Sequence, residues 1–323
     1  MNTAPALIAD IGGTHARFAL VQDSRVTRVE VLRAADHAGI AAAARAYLEK
    51  HGVSVRHAAL SIAATLSPHD DALTLVNQPS WNTTRSALKK DLALDTLITV
   101  NDFEALAHGI AAIGAGGCVQ VCGGTPAHHG PIGVIGPGTG LGMAGIIFVD
   151  GVSHVIASEG GNATLPATSA REYAIIEHLR TIKGDGHVSA EDAVSGTGLP
   201  LLYQAIARLD EKDANPLTAP EITARALDKS CPVAGEALDL FCHWLGVMAG
   251  NLALTLTATG GIYIAGGIIP QWLDHFMHSR FARSFADKGA YSDYLRQIAV
   301  YAVTHPYPAL EGMRVLLART AAR

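Results

Sequence analysis

The sequence predicts an α/β protein of two domains, and that prediction rests on two similar hairpins and on the chain length. The chain has 323 residues, which exceeds one typical domain and is enough to bury two cores. The hairpins are the stretches ALIADIGGTHARFAL (6–20) and GVIGPGTGLGMAGIIFVD (133–150). Each has an apolar run, a glycine turn and a second apolar run that continues as a strand. Because they lie in separate halves, they indicate duplicated domains.

The turn of the first hairpin has the residues of an anion site. Gly12 and Gly13 can adopt backbone angles closed to other residues, so their N–H groups and the Thr14 hydroxyl can converge on a phosphate. Asp10 would then face a phosphate-bound Mg²⁺, through water. An ordinary hairpin is the alternative, since an aspartate followed by two glycines is a common turn.

The second turn, Gly138 to Gly140, repeats this chemistry, with Thr139 after a turn glycine as Thr14 is. Two such turns suggest a nucleotide whose phosphates lie between the two domains. The run Gly140–Gly145 also fits the dinucleotide motif G-x-G-x-x-G, but that motif needs a helix where Ile146–Val149 continues as a strand. No P-loop motif occurs in the sequence, so both of those nucleotide folds are discounted.

Composition describes a well-packed enzyme. Hydrophobic residues make up 49% and charged residues 16%, with a formal net charge of -5. This charge leaves no electrostatic footprint for nucleic acid. Only Met1–Pro5 precede the first strand, so we expect no signal peptide, no N-terminal DNA-binding module and a cytoplasmic location.

The cysteines and one long apolar stretch invite two other interpretations. Cys118, Cys122, Cys231 and Cys242 are expected as reduced thiols in a cytoplasmic chain. A zinc site at Cys118 and Cys122 with the histidines at 128–129 is less favoured.

The stretch Leu240–Leu273 has no charged residue, but His243, Asn251 and the glycines at 260–261 interrupt it. A buried helix from Ala234 to about Thr257 is favoured over a membrane span.

Apolar periodicity and capping residues predict the remaining elements. They are helices at Ile40–Gly52, Trp81–Leu92, after Asp102, at Ser169–Ile182 and at Pro308–Ala322, and strands at Ala58–Ala64, Thr96–Val100 and Ile262–Ala265. The helix at Ser169 has a capping box with Glu172 and an apolar stripe of Tyr173, Ile176 and Leu179. Ser189 and Asp192 suggest a second capping box, and Leu310, Met313 and Leu317 share one face of the last helix.

Asn101 and Asp102 lie where a strand meets the helix whose apolar positions are Phe103, Leu106, Ile110 and Ile113. Open α/β folds bind their ligands at this carboxyl edge of a sheet. Asn and Asp are also favoured helix N-caps, and the residues alone favour capping. Glu159, among glycines, can approach a ligand closely, and the residues alone allow Glu191 to be a first-turn acid of a helix.

Eight segments in order resemble bacterial glucokinases, the hexokinase branch of the actin-like ATPase superfamily. They are DIGGTHARFAL, ITVNDFEALAHGI, GPGTGLGMA, ASEGGNATLPA, GHVSAEDAVSGTGL, GNLALTL, GGIYIAGGI and HPYPALEGM. The resemblance implies a two-domain ribonuclease H-like fold with a duplicated βββαβαβα core and an interdomain cleft. It implies a small domain of 1–107 plus 304–323, a large domain of 108–303, and a hinge that closes over the substrates.

The same resemblance assigns roles to residues. Asp102 matches the catalytic base that takes the proton of the glucose C6 hydroxyl, while Asn101, Glu159, Asn162 and Glu191 match sugar ligands. ATP would be bound, with Mg²⁺, by Asp10, Ile11, Gly12, Gly13, Thr14, Gly138, Thr139, Gly140, Gly266 and Gly267. Family members also suggest a homodimer.

Three departures from the family pattern keep alternatives open. Asn162 stands where the family has His, His15 stands where it has Asn, and the turn Thr65–Asp70 lacks the usual Pro and Gly-Asp. The alternatives are a kinase for another hexose or an amino sugar, and a sugar-binding protein without catalysis. The intact Asp10, Asp102 and Glu159 disfavour the second.

Overall fold

The computed structural model describes residues 4–64, 70–75, 78–184, 186–213 and 215–321. Its contacts divide the chain into two compact units. The first unit runs to Gly116 and resumes at His305, and the second runs from Gly117 to Thr304. Two chain connections therefore join the units. The functional domain limits at residues 107 and 304 remain a prediction.

Strands and helices of the described residues follow in chain order. The strands are β1 (Ala6–Ile11), β2 (His15–Gln22), β3 (Arg25–Arg33), β4 (His57–Ile62), β5 (Ala72–Leu73), β6 (Thr83–Thr84), β7 (Thr96–Asn101), β8 (Cys118–Cys122), β9 (Ile132–Pro137), β10 (Leu141–Val149), β11 (Val152–Ser158), β12 (Gly261–Ile264) and β13 (Val300–Val303). The helices are α1 (Ile40–His51), α2 (Arg85–Asp91), α3 (Asp102–Ile113), α4 (Ala170–Lys183), α5 (Gly198–Leu209), α6 (Ala219–Leu227), α7 (Pro232–Leu256), α8 (Leu273–Met277), α9 (Phe281–Ala286), α10 (Ser292–Gln297) and α11 (Pro308–Ala321).

The main sheet of the first unit has the strand order β3-β2-β1-β4-β7. Strands β1 to β3 form an antiparallel meander, and β4 and β7 run parallel to β1. Apolar residues of α1 pack on one face of this sheet. Helix α11 packs through Leu310 and Met313 on the other face, in a cluster with Ile8 and Ala59. The sheet is therefore covered on both sides, as a buried parallel core requires.

The sheet of the second unit has the order β11-β10-β9-β12-β13-β8. Its first five strands repeat the pattern of the first unit: an antiparallel meander, then two strands parallel to the meander's first strand. Strand β8 is an addition that pairs antiparallel with β13. This repetition confirms the predicted duplication of an α/β core.

Most predicted elements are confirmed. Helix α1 ends where Gly52 adopts a left-handed conformation with φ of 64°, as a C-terminal glycine should. Helix α11 buries Leu310, Met313 and Leu317 on one face. Helix α7 is the one described helix long and apolar enough to span a bilayer, yet most of its apolar stretch is buried in the protein, which confirms its prediction as a core helix.

Three local predictions were wrong. Helix α2 begins only at Arg85, because the Thr84 hydroxyl caps it by accepting from the Ala87 N–H, and Trp81 lies in a separate 3-10 turn. The stripe of α4 contains Ile175 instead of Tyr173, which is 61% exposed. Ser189 and Asp192 are hydrogen bonded, but the residues after them form turns instead of a helix.

The turn Thr65–Asp70, where the sequence departs from the family pattern, lies outside the described residues, apart from Asp70.

Candidate functional site

The turn of the first hairpin is anchored on both sides. The Gly12 N–H donates to the His15 carbonyl at 3.1 Å, and the Thr14 carbonyl accepts from the Ala34 N–H at 2.9 Å. The N–H groups of Gly13 and Thr14 donate to no group in the described part of the chain. Two adjacent unpaired N–H groups in a glycine turn form an anion-binding concavity.

Asp10 lies at the end of β1 and is held by two side chains. Its Oδ2 accepts from Arg17 at 3.1 Å and its Oδ1 accepts from the Ser61 hydroxyl at 2.9 Å. A carboxylate oxygen has lone pairs beyond one hydrogen bond, so Asp10 can still accept from metal-bound water. No three His, Cys, Asp or Glu residues cluster as a metal cage among the described residues. A single carboxylate, that of Asp10, fits Mg²⁺ that is bound mainly by phosphates and water.

Asn101 and Asp102 follow at the end of β7. The Asn101 side chain donates to the Ala64 carbonyl at 2.9 Å and accepts from the Phe103 N–H at 2.8 Å. Asp102 also accepts from the Phe103 N–H, at 2.9 Å, and its side chain is exposed. The capping contacts are therefore present in the structure. Asn101 uses one N–H and one lone pair of its amide for them, so a second N–H and a second lone pair remain for a ligand.

Asp10 and Asp102 lie at the same edge of one sheet. Ile11 of β1 pairs with Ile62 of β4, and Ile62 pairs with Asn101 of β7, all in parallel register. Neighbouring strands lie about 5 Å apart, so β1 and β7 are about 10 Å apart across β4. The first glycine turn and Asp102 consequently face the same ligand-binding edge.

In the second unit the turn Gly138–Gly140 follows β9, and the glycine at 266 follows the neighbouring β12. Gly266 has a φ of +87°, and a Cβ there would lie 2.3 Å from the Pro137 carbonyl oxygen. Only glycine permits this approach. The structure thus brings the predicted nucleotide residues 138–140 and 266 together, with Gly267 next in the chain.

Three predicted sugar ligands lie beside the second turn. The exposed Glu159 begins the short 3-10 turn that contains Asn162. The backbone N–H of Glu191 donates to the Gly161 carbonyl at 2.9 Å, while its side-chain Oε2 accepts from the Leu141 N–H at 2.8 Å. Glu191 therefore connects the loop that contains Gly161 to the glycine hairpin. It is not a helix residue, so the first-turn interpretation is wrong.

The segment that carries Glu191 is held by an ion pair. Lys183 lies 2.6 Å from Asp192, which also accepts from the Ser189 N–H and hydroxyl. Burial would raise the pKa of Asp192, but the Lys183 ammonium and the Ser189 donors outweigh it and lower the pKa. Asp192 is therefore charged at neutral pH. The same segment has a second contact, in which the ring nitrogen Nε2 of His187 lies 3.2 Å from the Asn162 carbonyl oxygen.

Sequence reasoning missed the residues that support these groups. Arg17 is directly opposite Asp10 in the β1–β2 ladder, so the hairpin register was a signal that could have found it. Ser61 lies one residue before the end of a buried strand, with no local pattern to mark it. Thr197 contacts the second turn through its hydroxyl, and the Ser195 hydroxyl lies 3.1 Å from that of Thr197; no sequence pattern marked either residue.

The two α/β units repeat one topology, and each has a glycine turn with unpaired N–H groups at a strand end in the described residues. This arrangement fits a phosphate-transferring protein of the two-domain α/β class. The family model described as Glucokinase matches residues 7–320. A glucokinase of Erwinia tasmaniensis is 39% identical over 323 residues, covering 99% of each chain. A glucokinase of Aromatoleum aromaticum is 43% identical, covering 98% of this chain and 95% of the relative. The chain belongs to the glucokinase family.

A solved structure agrees with this assignment. The crystal structure of a glucokinase from an Antarctic psychrotroph superposes with a TM-score of 0.87 at 33% sequence identity. The match covers 98% of this chain and 99% of that chain. The likeness therefore extends over both units.

Proposed function

We propose that the protein transfers the γ-phosphoryl group of ATP to the C6 hydroxyl of glucose, giving glucose 6-phosphate and ADP. The observation that carries the proposal is the shared sheet edge of the first unit. There, an exposed carboxylate at Asp102 and a glycine turn with unpaired N–H groups face the same ligand space.

Asp102 acts as the general base. A carboxylate accepts a hydrogen bond from the attacking hydroxyl and removes its proton as the bond to phosphorus forms. The Phe103 N–H bond to Asp102 fixes the carboxylate at the helix terminus. Because the carboxylate has further lone pairs, the cap and the base role are compatible.

The two glycine turns stabilise charge on the phosphates. Phosphoryl transfer depends mainly on positioning and on preorganised donors directed at the transferred oxygens. The turn at residues 12–14 supplies such donors through the N–H groups of Gly13 and Thr14, and the turn at residues 138–140 through those of Thr139 and Gly140, since the Gly12 and Gly138 N–H groups are used within their own turns. Gly266 and Gly267 are the proposed nucleotide contact. Mg²⁺ would neutralise phosphate charge, and Asp10 is the residue that would hold it through water.

The sugar is oriented by Asn101, Glu159, Asn162 and Glu191. Carboxylates are good acceptors for paired sugar hydroxyls. Since Oε2 of Glu191 is engaged by the Leu141 N–H, Oε1 is the atom proposed to meet the sugar. Glucose is favoured over other hexoses by the names of the relatives, and ATP is proposed as the donor.

A cytoplasmic location, a place in glycolysis and a homodimeric assembly belong to the same proposal. They follow from the family assignment and the chemistry of the substrates.

Substitution of Asp102 tests the base assignment. We expect Asp102→Asn and Asp102→Ala to lower kcat by about 10²–10⁴-fold, the usual contribution of general base catalysis. Glucose affinity, measured by calorimetry, should stay within about threefold, because Asn101 and the other sugar ligands are intact.

The matched control is Glu104→Gln, which changes a carboxylate on the same helix. Glu104 is half-buried, and burial raises its pKa, but it has no proposed contact with the sugar. Retention of most of the rate by Asp102→Ala would show that the base lies elsewhere.

A further inference from the structure

The turn Glu191–Gly198, here named the bracket turn, contacts the second glycine hairpin at three places. The Gly196 N–H donates to the Gly138 carbonyl at 2.8 Å. The Thr197 hydroxyl donates to the Thr139 carbonyl at 3.0 Å. Glu191 accepts from the Leu141 N–H at 2.8 Å. The bracket turn therefore holds the carbonyl groups of Gly138 and Thr139 and the N–H group of Leu141, on both sides of Gly140.

These bonds determine where the N–H groups of the hairpin point. In a trans peptide the carbonyl of one residue and the N–H of the next point in opposite directions, and no described peptide bond is cis. With the Gly138 and Thr139 carbonyls directed at the bracket turn, the N–H groups of Thr139 and Gly140 point away from it. Neither N–H donates to a group in the described residues.

The bracket turn is held together by hydrogen bonds of its own side chains. Ser195 is fully buried, its hydroxyl donates to the Glu191 carbonyl at 2.7 Å, and it accepts from the Gly198 N–H at 2.8 Å. The Ser195 and Thr197 hydroxyl oxygens lie 3.1 Å apart. The Ser195 side chain thus joins the two ends of the bracket turn, Glu191 and Gly198. The Thr197 hydroxyl contacts the hairpin at the Thr139 carbonyl.

We infer that Thr197, supported by Ser195, is a positioning residue that aims the Thr139 and Gly140 N–H groups at the phosphates of the nucleotide. The inference rests on the proposed function for the identity of the nucleotide. It assigns to the bracket turn a role in nucleotide affinity that is separate from the sugar role of Glu191.

The test compares variants that differ by one hydroxyl. Thr197→Val removes the hydroxyl but keeps the shape and the backbone N–H. Binding of the non-hydrolysable analogue AMP-PNP with Mg²⁺ should weaken about two- to tenfold by calorimetry, the usual effect of one lost hydrogen bond. The KM for MgATP should rise by a similar factor, while kcat and the KM for glucose stay within about twofold. Thr197→Ser should restore nucleotide affinity.

A matched control and a second variant keep the outcome interpretable. Thr181→Val removes a hydroxyl that donates to the Glu177 carbonyl at 3.0 Å on α4, so it should leave nucleotide affinity unchanged. In Gly196→Ala the added Cβ would lie 3.0 Å from the Gly138 carbonyl oxygen, so it should weaken AMP-PNP binding by displacing the turn.

The possible results separate the inference from the proposed function. Unchanged AMP-PNP affinity in both Thr197→Val and Gly196→Ala would overturn the inference. A rise in both KM values with a lower melting temperature in Thr197→Val would also overturn it, because that pattern indicates general damage. Weaker AMP-PNP binding by the variants in a protein that phosphorylates no sugar would support the inference and reject the proposed function. A wild-type protein that binds no AMP-PNP would overturn both.

Discussion

At Asp102 one carboxylate serves as a helix cap and as the proposed base. Its bond to the Phe103 N–H holds it at the first residue of α3. Local sequence rules detect only the cap, since they describe backbone chemistry. The catalytic interpretation needed the family resemblance, and the sheet register then placed the residue beside the first glycine turn.

Asn162 is the proposed sugar ligand at which this chain departs from the family pattern. Its side chain is exposed and its backbone carbonyl lies 3.2 Å from His187 Nε2, so the backbone is held while the side chain can be replaced. We expect Asn162→His to lower the KM for glucose about two- to tenfold, because the longer ring can add a hydrogen bond to a sugar hydroxyl.

Asn162→Ala should raise the same KM, measured in steady-state kinetics with glucose as the varied substrate. Equal glucose KM values in wild type, Asn162→His and Asn162→Ala would show that the side chain does not touch the sugar.

Three helices of the second unit are joined by a buried polar cluster. His243 of α7 lies 2.7 Å from the Ser284 hydroxyl of α9 through Nδ1 and 3.3 Å from Glu172 of α4 through Nε2. Burial lowers the pKa of His243. Burial would raise the pKa of Glu172, but hydrogen bonds from Thr168 outweigh it and lower the pKa. The cluster therefore favours a neutral imidazole beside a charged carboxylate.

We expect this cluster to make the protein sensitive to acid. A histidine whose folded pKa lies below its ordinary 6.5 binds a proton more readily when unfolded, so the free energy of unfolding falls as pH drops below about 6.5. The contribution of Glu172, whose folded pKa lies below 4.5, is present above pH 4.5 and is lost as pH falls through the folded value. Both effects favour unfolding in acid.

We expect His243→Gln to flatten the decline of the unfolding free energy between pH 6.5 and 5, measured by urea titration. The decline should persist in His278→Gln, which changes a histidine whose side chain is 78% exposed. An unchanged slope in His243→Gln would refute the assignment of this acid sensitivity to the cluster.

The duplicated architecture of the whole molecule could be predicted from sequence because its signals are local. Each hairpin has its apolar alternation and its turn within fewer than twenty residues, and α7 and α11 show helical periodicity. What could not be predicted depends on contacts between distant positions. Thr197 meets Thr139 across 58 residues of chain, and the exposure of Tyr173 depends on how α4 packs.

The residues of the proposed reaction are divided between the two units. The first unit has Asp102 and the Asp10 turn on one sheet edge, and the second has the other glycine turn with Glu159 and Glu191 beside it. Since neither unit alone contains the full set, the proposed activity belongs to the complete chain. The activity is therefore best tested on the intact protein.

The most direct test is sugar-dependent release of ADP from MgATP by the purified full-length protein, with glucose, mannose, fructose, galactose and glucosamine compared at equal concentration. We predict strong release with glucose, with one glucose 6-phosphate formed per ADP. Strong release with another sugar and weak release with glucose would contradict the proposed substrate, and no release with any of the five would contradict the proposed kinase activity.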